Sequence, residues 1–422
     1  MSRVTPVCFV GMTHLGLVSA IAVAAKGRSV ICFDQSESLI TELLAGKFPV
    51  SEPGLNFAAT EHSTRILFTS NPEMINQCDL VYLSVDVPTD DVGNSNLEPI
   101  LVHFRLIRAY INDEAVVVVL SQVPPSFTRS LDFDHSRLFY QAETLVFGRA
   151  LERAMQPERL IVGSSDSSQP LPTIFQDFLE DYGCPILHMS LESAELTKIA
   201  INLFLVSSIS TANMLSDICE CIGADWAEVA PALRLDERIG PRAYLKPGLG
   251  FGGGNLERDI ATIRRIGEQT GTNIKLAELW ISNSTFRKTL VFRKIKELFP
   301  ADWRARHFCI LGLTYKEDTA STKNSAALDL LRDLKGAKLS VHDPIAIIDE
   351  NTYQATQYST VSHAASGADV IVIMTPWRQY QILDPENLKA VMSGNLIIDP
   401  FAVLELEHVA RAKLKYFTLG RS

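Results

Sequence analysis

The sequence lacks any excess of positive charge. Its 422 residues include 39 Lys and Arg against 49 Asp and Glu, a formal net charge of −10. This balance argues against a general nucleic-acid or membrane-surface binder, although a small anionic ligand would respond only to local cations. We therefore expect neither a nucleic acid nor a membrane among the partners.

Cysteine is also sparse. Of the seven cysteines only Cys219 and Cys221 lie close together, separated by one residue. This is neither a disulfide framework nor a zinc-ligand pattern, so we expect no metal site. The first residues run directly into a strand-like segment. We expect no signal peptide and no apolar run long enough to cross a bilayer, and hence a cytoplasmic protein.

The length of the chain and its apolar content indicate a folded protein of several domains. Hydrophobic residues make up 46% of the chain and charged residues 21%, which is ordinary for a globular protein. A chain of this length exceeds one ordinary core, so two or three domains are expected.

The N-terminal segment has the βαβ pattern of a dinucleotide-binding fold. Residues 5–11 read as a buried strand, followed by a loop from Gly11 to Gly16 and an alanine-rich helix. The first glycine permits the tight turn, the last lets the helix pack on the strand, and the helix N-terminus faces the pyrophosphate. Thr13 replaces the middle glycine of this fingerprint. Asp34 ends the next strand, where an acid bonds the ribose hydroxyls and favours NAD over NADP.

Further strand-like runs alternate with helices in two blocks. They are 79–85, 115–121, 161–165 and 185–190 in the first block, and 307–313, 339–344, 369–375 and 395–400 in the second. Alternation of this kind predicts parallel sheets. The expected fold is α/β, with two Rossmann-like doubly wound parallel-sheet domains joined by a long central helix. We place an NAD-binding domain at 1–190, a central helical domain at 191–300 and a second Rossmann-like domain at 301–422.

The central helix is predicted from Leu191 to about Gly223. It carries Glu195, Lys198 and Asn202 at intervals of three and four residues, so these side chains share one face. Although a helix lysine is usually solvated, this apolar context favours a buried polar stripe. A long helix between two domains is also a natural dimer interface.

The stretch from Gly248 to Asp259 reads GLGFGGGNLERD. Three of the four residues Gly250–Gly253 are glycines, whose backbone can approach a ligand closely. The polar residues Asn255, Arg258 and Asp259 follow. The stretch is either a glycine-rich surface turn or a substrate loop, and its position between the two halves, where a cleft is expected, favours the substrate loop.

Taken together and in order, the motifs resemble those of the UDP-glucose/GDP-mannose dehydrogenase family along nearly the whole chain. Besides those already described, they are Glu52–Leu55, Val87–Thr89, Ser121, Val123–Pro125, Pro157–Arg159, Asp236–Gly240, Gly312, Tyr315–Lys316, His342–Pro344 and Thr375–Trp377. The resemblance implies an NAD-dependent enzyme that acts on a nucleotide sugar.

The resemblance also implies a mechanism whose nucleophile is absent from the expected position in this chain. Family members oxidise a primary alcohol with two NAD, and a cysteine thiolate traps the intermediate aldehyde so that a second hydride can leave. That cysteine is separated from the GFGG motif by one residue, and here the position is Asn255. A carboxamide cannot form a thioester. Other departures from the family pattern are Thr13, Asp90, Gln122, Glu257, Arg258, Ser321, Lys323 and Phe401.

The same resemblance assigns roles to individual residues. Lys198, Asn202 and Asp259 would hold the reacting oxygen and a bound water, and Glu158 would activate water. The predicted catalytic group is Lys198, Asn202, Asp259, Glu158, Asn255 and Gln122. The predicted NAD-binding residues are Gly11, Thr13, His14, Leu15, Gly16, Asp34, Thr89, Ser121, Glu158 and Lys323. The predicted substrate residues are Arg238, from a second subunit, and Tyr244, Phe251, Gly252, Gly253, Tyr315 and Lys316.

Three functions are compatible with these residues. The first is a two-electron oxidation of a nucleotide sugar, most simply a UDP-sugar, which yields an aldehyde or ketone or returns an epimer. The second is a four-electron oxidation to a uronic acid with an unrecognised substitute for the cysteine. The third is a catalytically silent homologue that binds NAD or a nucleotide sugar. The missing thiol and the retained Lys198, Asn202 and Asp259 favour the first function. We expect the protein to be a homodimer.

Overall fold

The computed structural model describes residues 5–90 and 93–421. Of these, residues 5–90 and 94–201 form one compact unit, and Gly93 with residues 202–421 forms the second. Each unit contains a sheet of its own, with helices packed on it.

The sheet of the first unit has eight strands. In chain order they are Val7–Val10 (β1), Val30–Phe33 (β2), Ile66–Thr69 (β3), Leu80–Leu83 (β4), Val116–Val119 (β5), Leu138–Gln141 (β6), Leu160–Ser164 (β7) and Ile186–Ser190 (β8). Their spatial order is β3-β2-β1-β4-β5-β6-β7-β8. All neighbours are parallel except β6 and β7, which pair antiparallel. The sequence pattern predicted a fully parallel sheet and missed β3 and β6.

Seven α-helices accompany this sheet among the described residues. They are His14–Ala25 (α1), Glu37–Leu44 (α2), Leu55–Glu61 (α3), Glu98–Ile107 (α4), Phe127–Ser130 (α5), Ala150–Met155 (α6) and Thr173–Glu180 (α7). Strands β1, β2, β4 and β5 are buried throughout because helices cover both faces of the sheet. Nine of the twelve residues of α1 are buried. The helix follows β1 in the chain, so it begins beyond the carboxyl end of that strand.

The long central helix is confirmed and extends over Leu191–Ile222 (α8). The expectation that no run could span a membrane is wrong for this helix, which is long enough and has a mean hydropathy of 1.5 over an 18-residue window. In that window 39% of the residues are buried. Long core helices of soluble proteins meet the same criterion of length and composition.

The second unit contains a six-stranded parallel sheet. Its strands are His307–Leu311 (β9), Lys338–His342 (β10), Thr356–Gln357 (β11), Val370–Ile373 (β12), Leu396–Ile398 (β13) and Lys415–Phe417 (β14), in the order β11-β10-β9-β12-β13-β14. The second parallel α/β block is therefore confirmed, with β11 and β14 as strands that the sequence pattern missed. Both lie at the edges of the sheet.

The remaining helices belong to the second unit. They are Trp226–Leu235 (α9), Asn255–Thr270 (α10), Lys275–Lys288 (α11), Leu290–Leu298 (α12), Ala326–Asp333 (α13), Glu350–Tyr353 (α14), Val361–Ala365 (α15), Arg378–Gln381 (α16), Pro385–Val391 (α17) and Leu406–Arg411 (α18). One boundary differs from expectation. Asn255 to Asp259 form the first turns of α10 rather than the end of a loop, so the glycine-rich loop stops at Gly254.

Candidate functional site

The loop from Gly11 to Gly16 has the close backbone approach that a dinucleotide needs. Gly11 has φ +92, and a Cβ there would lie 2.4 Å from Val85 Cγ2. A Cβ on Gly16 would lie 1.9 Å from the Gly11 carbonyl oxygen. Both positions therefore require glycine, and the space they leave lies at the N-terminus of α1.

Thr13 occupies the middle glycine position without backbone strain. Its φ is −81 and its ψ −171, which is extended backbone open to any residue. Its hydroxyl accepts a hydrogen bond from Asp86 N at 2.9 Å and donates to Ser84 O at 3.4 Å. The side chain is thus bonded to the segment that follows β4.

Asp34 and His14 are fixed by hydrogen bonds. The buried Asp34 carboxylate accepts from Met12 N and from Ser36 N, each at 2.9 Å, which orients it at the carboxyl end of β2. His14 Nε2 lies 2.8 Å from Glu52 Oε1, and its ring stacks on Phe147 with centroids 4.4 Å apart. The glycine turn, the helix N-terminus and the oriented carboxylate fit an adenosine pyrophosphate.

Other predicted NAD-binding residues have different surroundings. The buried Ser121 hydroxyl donates to Val85 O at 2.6 Å, and Thr89 forms a β-bridge with Ser95. Lys323 belongs to the second unit. Glu158 forms ion pairs with Arg153 at 2.9 Å and Arg159 at 3.2 Å on the surface.

Lys198 is paired with Glu143, a residue that the sequence analysis did not select. Lys198 Nζ lies 2.8 Å from Glu143 Oε1, and the two side chains are 12% and 8% exposed. Gln122 Nε2 donates to the same carboxylate, and Leu145 N donates to its other oxygen at 2.7 Å. The predicted residues Lys198 and Gln122 therefore meet at Glu143, whereas Glu158 pairs with Arg153 and Arg159.

The charge state of Glu143 follows from these partners. Burial alone would raise the pKa of this carboxyl, but the Lys198 ammonium and the donated hydrogen bonds hold the pKa below its ordinary value of 4.5. Glu143 is therefore a carboxylate at neutral pH. It lies just beyond the carboxyl end of β6, where ligands bind in parallel sheets. Recognition of β6 would have been the signal that identifies it.

Glu195 lies three residues before Lys198 on α8, but its role is structural. Its carboxylate accepts from Ser126 N at 2.6 Å and Thr128 N at 2.9 Å. Ser126 has φ +74, a left-handed conformation that these bonds help to hold. Burial raises the pKa of Glu195. This residue thus anchors the loop after β5, which begins near Gln122.

In the second unit, the glycine-rich loop is fixed through its backbone. Gly248 N donates to Asn213 Oδ1 at 2.8 Å, and Arg287 Nε donates to Gly248 O at 3.1 Å. Phe251 N donates to Ser284 Oγ at 3.0 Å. Gly250, between them, has φ +84, and a Cβ there would lie 2.7 Å from Ser284 O. The loop can adopt this path only with glycine at that position.

The end of the loop packs on Tyr315. A Cβ on either Gly252 or Gly253 would approach the Tyr315 side chain to 2.9 Å. Gly253 N donates to Lys323 O at 2.9 Å, and Asn324 Nδ2 donates to Gly253 O at 3.0 Å. Three predicted substrate residues are therefore packed together: Gly252, Gly253 and Tyr315.

Helix α10 begins at Asn255, whose side chain is exposed. One turn later, the buried Asp259 accepts a hydrogen bond from Asn202 Nδ2 at 2.5 Å and lies 3.1 Å from Arg258 Nε. Two of the three residues predicted to hold the reacting oxygen, Asn202 and Asp259, are thus bonded to each other. A carboxylate that is buried between an amide and a guanidinium is held in one orientation.

The remaining predicted substrate residues are more open. Arg238 is exposed and bonded to Asp236, with nitrogen–oxygen distances of 2.9 and 2.6 Å. Tyr244 is half exposed. Lys316 Nζ lies 5.9 Å from the centre of the Tyr315 ring. Within residues 5–90 and 93–421, no group of three or more His, Cys, Asp or Glu side chains is arranged to hold a metal ion.

A cavity of about 250 Å³ lies beside the start of the glycine-rich loop. Its lining includes Trp226, Lys246, Pro247, Phe401 and Arg421. Phe401 and Arg421 follow β13 and β14, so the cavity opens at the carboxyl ends of parallel strands, where α/β proteins bind ligands. Arg421 pairs with Asp225, which also lines the cavity, at 2.8 Å. The aromatic side chains beside Lys246 suit a planar, anionic ligand.

Comparisons with known proteins agree with this architecture. Three models of the UDP-glucose/GDP-mannose dehydrogenase family match the chain: the NAD binding domain over residues 5–178, the central domain over 192–284 and the UDP binding domain over 309–406. Among solved structures, a UDP-glucose dehydrogenase from Pyrobaculum islandicum superposes with a TM-score of 0.85 at 27% identity, and covers 100% of this chain and 99% of its own.

Curated relatives match over nearly the full length. The UDP-glucose 6-dehydrogenase TuaD of Bacillus subtilis is 30% identical over 98% of this chain and 93% of its own length. A UDP-glucose 6-dehydrogenase of Rickettsia bellii is likewise 30% identical, over 98% and 99%. The chain therefore belongs to the UDP-glucose/GDP-mannose dehydrogenase family of NAD-dependent enzymes that oxidise CH–OH groups of nucleotide sugars.

Proposed function

We propose that this chain oxidises a UDP-sugar by transferring a single hydride to NAD, and stops at the aldehyde or ketone or returns an epimer. The observation that carries the proposal is Asn255, which stands at the N-terminus of α10 where the resemblance predicts the thioester-forming cysteine. A carboxamide cannot trap an aldehyde as a thioester, and without such an adduct the aldehyde has no second hydride to give.

Side chains to which the family resemblance gives catalytic roles supply the remaining requirements of a single oxidation. NAD, when bound, accepts the hydride. Lys198 can stabilise negative charge that develops on the substrate oxygen as its proton leaves. The bonded pair of Asn202 and Asp259 provides an oriented amide and carboxylate for a hydroxyl or a water. The resemblance places all three side chains in this role.

Glu143 is the carboxylate that contacts Lys198, and its surroundings support a reaction without hydrolysis. Its carboxylate accepts from Lys198, Gln122 and Leu145 N, and its pKa lies below the ordinary value. A carboxylate with these bonds and a lowered pKa is a weak base for activating water. Release of an acid from a thioester would require such activation.

The test counts the hydrides that each sugar molecule transfers to NAD. The protein is incubated with NAD and a panel of UDP- and GDP-sugars, and NADH formed is compared with sugar consumed. One NADH per sugar and a carbonyl product are expected, or an epimerised sugar with no net NADH if the hydride is returned. Two NADH per sugar with an acid product would instead establish the four-electron reaction. Nucleotide-sugar binding without turnover would identify a silent homologue.

The variant Asn255→Cys tests the position itself. If Asn255 occupies the nucleophile position, a thiol there should trap the aldehyde, and mass spectrometry should detect a covalent sugar adduct or a new acid product. Asn255→Ser is the matched control, because a hydroxyl of similar size is a much poorer nucleophile at neutral pH. Absence of any adduct in the cysteine variant would contradict this placement.

We also propose a homodimer formed through the central helix. Large apolar side chains on α8 and α11 are exposed, including Phe204 at 79%, Ile222 at 71% and Leu279 at 64%. Exposed apolar surface of this kind marks an interaction site. The proposed domains, 1–190, 191–300 and 301–422, each contain one of the matched family ranges. A cytoplasmic location stays a prediction.

The cavity beside Lys246 and Phe401 is the proposed site for the nucleotide part of the substrate. It combines aromatic walls with the side chains of Lys246 and Arg421. The family range named as the UDP binding domain, residues 309–406, includes Phe401. The resemblance adds Lys316 and Arg238 as cations for the pyrophosphate.

A further inference from the structure

The N-terminus of α1 carries no anion of its own. This helix of 12 residues has no side-chain cap at Thr13 and no acidic residue in its first turn. Its first amides point out of the helix without backbone partners, and the helix dipole adds partial positive charge there. The position therefore attracts an anion from elsewhere.

A side chain of the neighbouring segment supplies that anion. Asp86 Oδ2 accepts a hydrogen bond from Leu15 N at 3.3 Å. Asp86 follows β4, and its backbone is held because Asp86 N donates to Thr13 Oγ1 at 2.9 Å. The residue as a whole is exposed, whereas its contact with Leu15 N is partly buried and desolvation raises the pKa of the carboxyl. The exposed side of the residue gives the carboxylate a direction in which to move away from Leu15.

The same amide is needed by the cofactor. In a βαβ unit of this kind, the pyrophosphate of the dinucleotide binds at the N-terminus of the first helix. A carboxylate on Leu15 N and a pyrophosphate cannot share that position, because both are anions and both require the same donor. The imidazole of the neighbouring residue His14, which could otherwise contact the pyrophosphate, already contacts Glu52 at 2.8 Å.

We propose that Asp86 competes with the dinucleotide pyrophosphate for Leu15 N and weakens dinucleotide binding, because its carboxylate must leave Leu15 N before NAD can bind. Asp86 is then a residue that sets the affinity for the dinucleotide. The inference rests on NAD binding by the first unit and is independent of how many electrons are transferred.

The test measures binding by calorimetry, without turnover. Dissociation constants are determined for NAD, ADP-ribose and adenosine with the unaltered protein, Asp86→Asn and Asp86→Ala. The asparagine retains an oxygen that can accept from Leu15 N but removes the charge, whereas alanine removes both. We expect NAD and ADP-ribose to bind about tenfold more tightly to Asp86→Asn, the effect expected for one charge interaction at a partly exposed site, and at least as tightly to Asp86→Ala.

Adenosine and a second variant serve as controls. Adenosine lacks phosphate, so its affinity should be the same in all Asp86 variants. Asp113→Asn removes an exposed acid that precedes β5. Because it lies at the amino end of that strand, opposite the end at which the dinucleotide binds, the substitution should leave NAD affinity unchanged. Weaker binding of NAD to Asp86→Asn would overturn the proposal, because the carboxylate would then hold the cofactor. Unchanged affinity, or an equal gain for adenosine, would overturn it as well.

Discussion

Glu143 and Lys198 form a buried ion pair whose contribution depends on pH. The pKa of Glu143 is lowered in the folded protein, so its contribution to stability is complete above the ordinary value of 4.5 and is lost as the pH falls through the folded value. We expect Glu143→Gln to reduce the free energy of unfolding by about 3 kcal/mol near neutral pH, because Lys198 is left without its partner. Urea unfolding measures this difference.

The pH dependence distinguishes this pair from a surface pair. Below pH 4.5 the difference between Glu143→Gln and the unaltered protein should shrink, since the carboxyl of the unfolded chain takes up a proton before the native one does, and it should be lost once the pH has fallen through the lowered pKa of the folded protein. Glu158→Gln is the matched control. Glu158 is 43% exposed beside Arg153, and loss of a surface pair should cost less than about 1 kcal/mol. A pH-independent difference for Glu143→Gln would contradict the assigned pairing.

Local geometry was predictable where one short segment carries the whole pattern. The turn from Gly11 to Gly16 followed by Asp34 is such a case, because its geometry is local. Glu143 could not be found this way. Its contact with Lys198 depends on the pairing of β6 in the sheet, and a strand of four residues with mixed side chains gives little periodicity.

At the scale of the element, the path of the glycine-rich loop predicts how substitution of its glycines changes stability and binding. Gly250→Ala should destabilise the protein by about 2 kcal/mol or more and weaken nucleotide-sugar binding, since the residue has φ +84 and a Cβ would lie 2.7 Å from Ser284 O. Thermal unfolding and a binding titration measure the two effects.

Gly248→Ala is the control within the same loop. Gly248 has no positive φ, and the nearest atom to an added Cβ is Phe401 Cε1 at 3.7 Å, an ordinary contact. Its melting temperature should stay close to that of the unaltered protein. Equal losses in Gly248→Ala and Gly250→Ala would show that the loop path is not held by backbone conformation.

Element boundaries were harder to predict than element types. The start of α10 at Asn255 has no signal in the sequence, because Gly254 precedes it and no side chain caps the helix. The missed edge strands β11 and β14 have two and three residues. Strands this short have too few positions to show an alternating pattern.

At the scale of the whole molecule, the apolar surface of α8 makes the homodimer testable. Phe204→Glu should convert the dimer to a monomer, or weaken it strongly, because the side chain is 79% exposed in the single chain and a charge would be buried on association. Light scattering coupled to size exclusion measures the mass. Phe57→Glu is the matched control: Phe57 is 73% exposed on α3, and its replacement should leave the mass unchanged.

The two-sheet architecture was the most predictable property of the chain. The buried central strands β1, β2, β4, β5, β9 and β12 are continuous apolar runs bounded by polar turns, and parallel sheets produce that pattern wherever helices cover both faces. The antiparallel pairing of β6 and β7 was not predictable, since strand direction depends on the path of the connection rather than on composition.

The way the glycine-rich loop is anchored has a consequence for the evolution of this protein. Asn213, Arg287 and Ser284 bond to backbone atoms of the loop. Since backbone atoms are common to all residues, a mutation at an exposed position such as Asn255 leaves these bonds intact. We therefore expect that a thiol or a hydroxyl can replace the carboxamide at this position with little effect on folding, and that the glycine-rich loop keeps its path when the chemistry at the start of α10 changes.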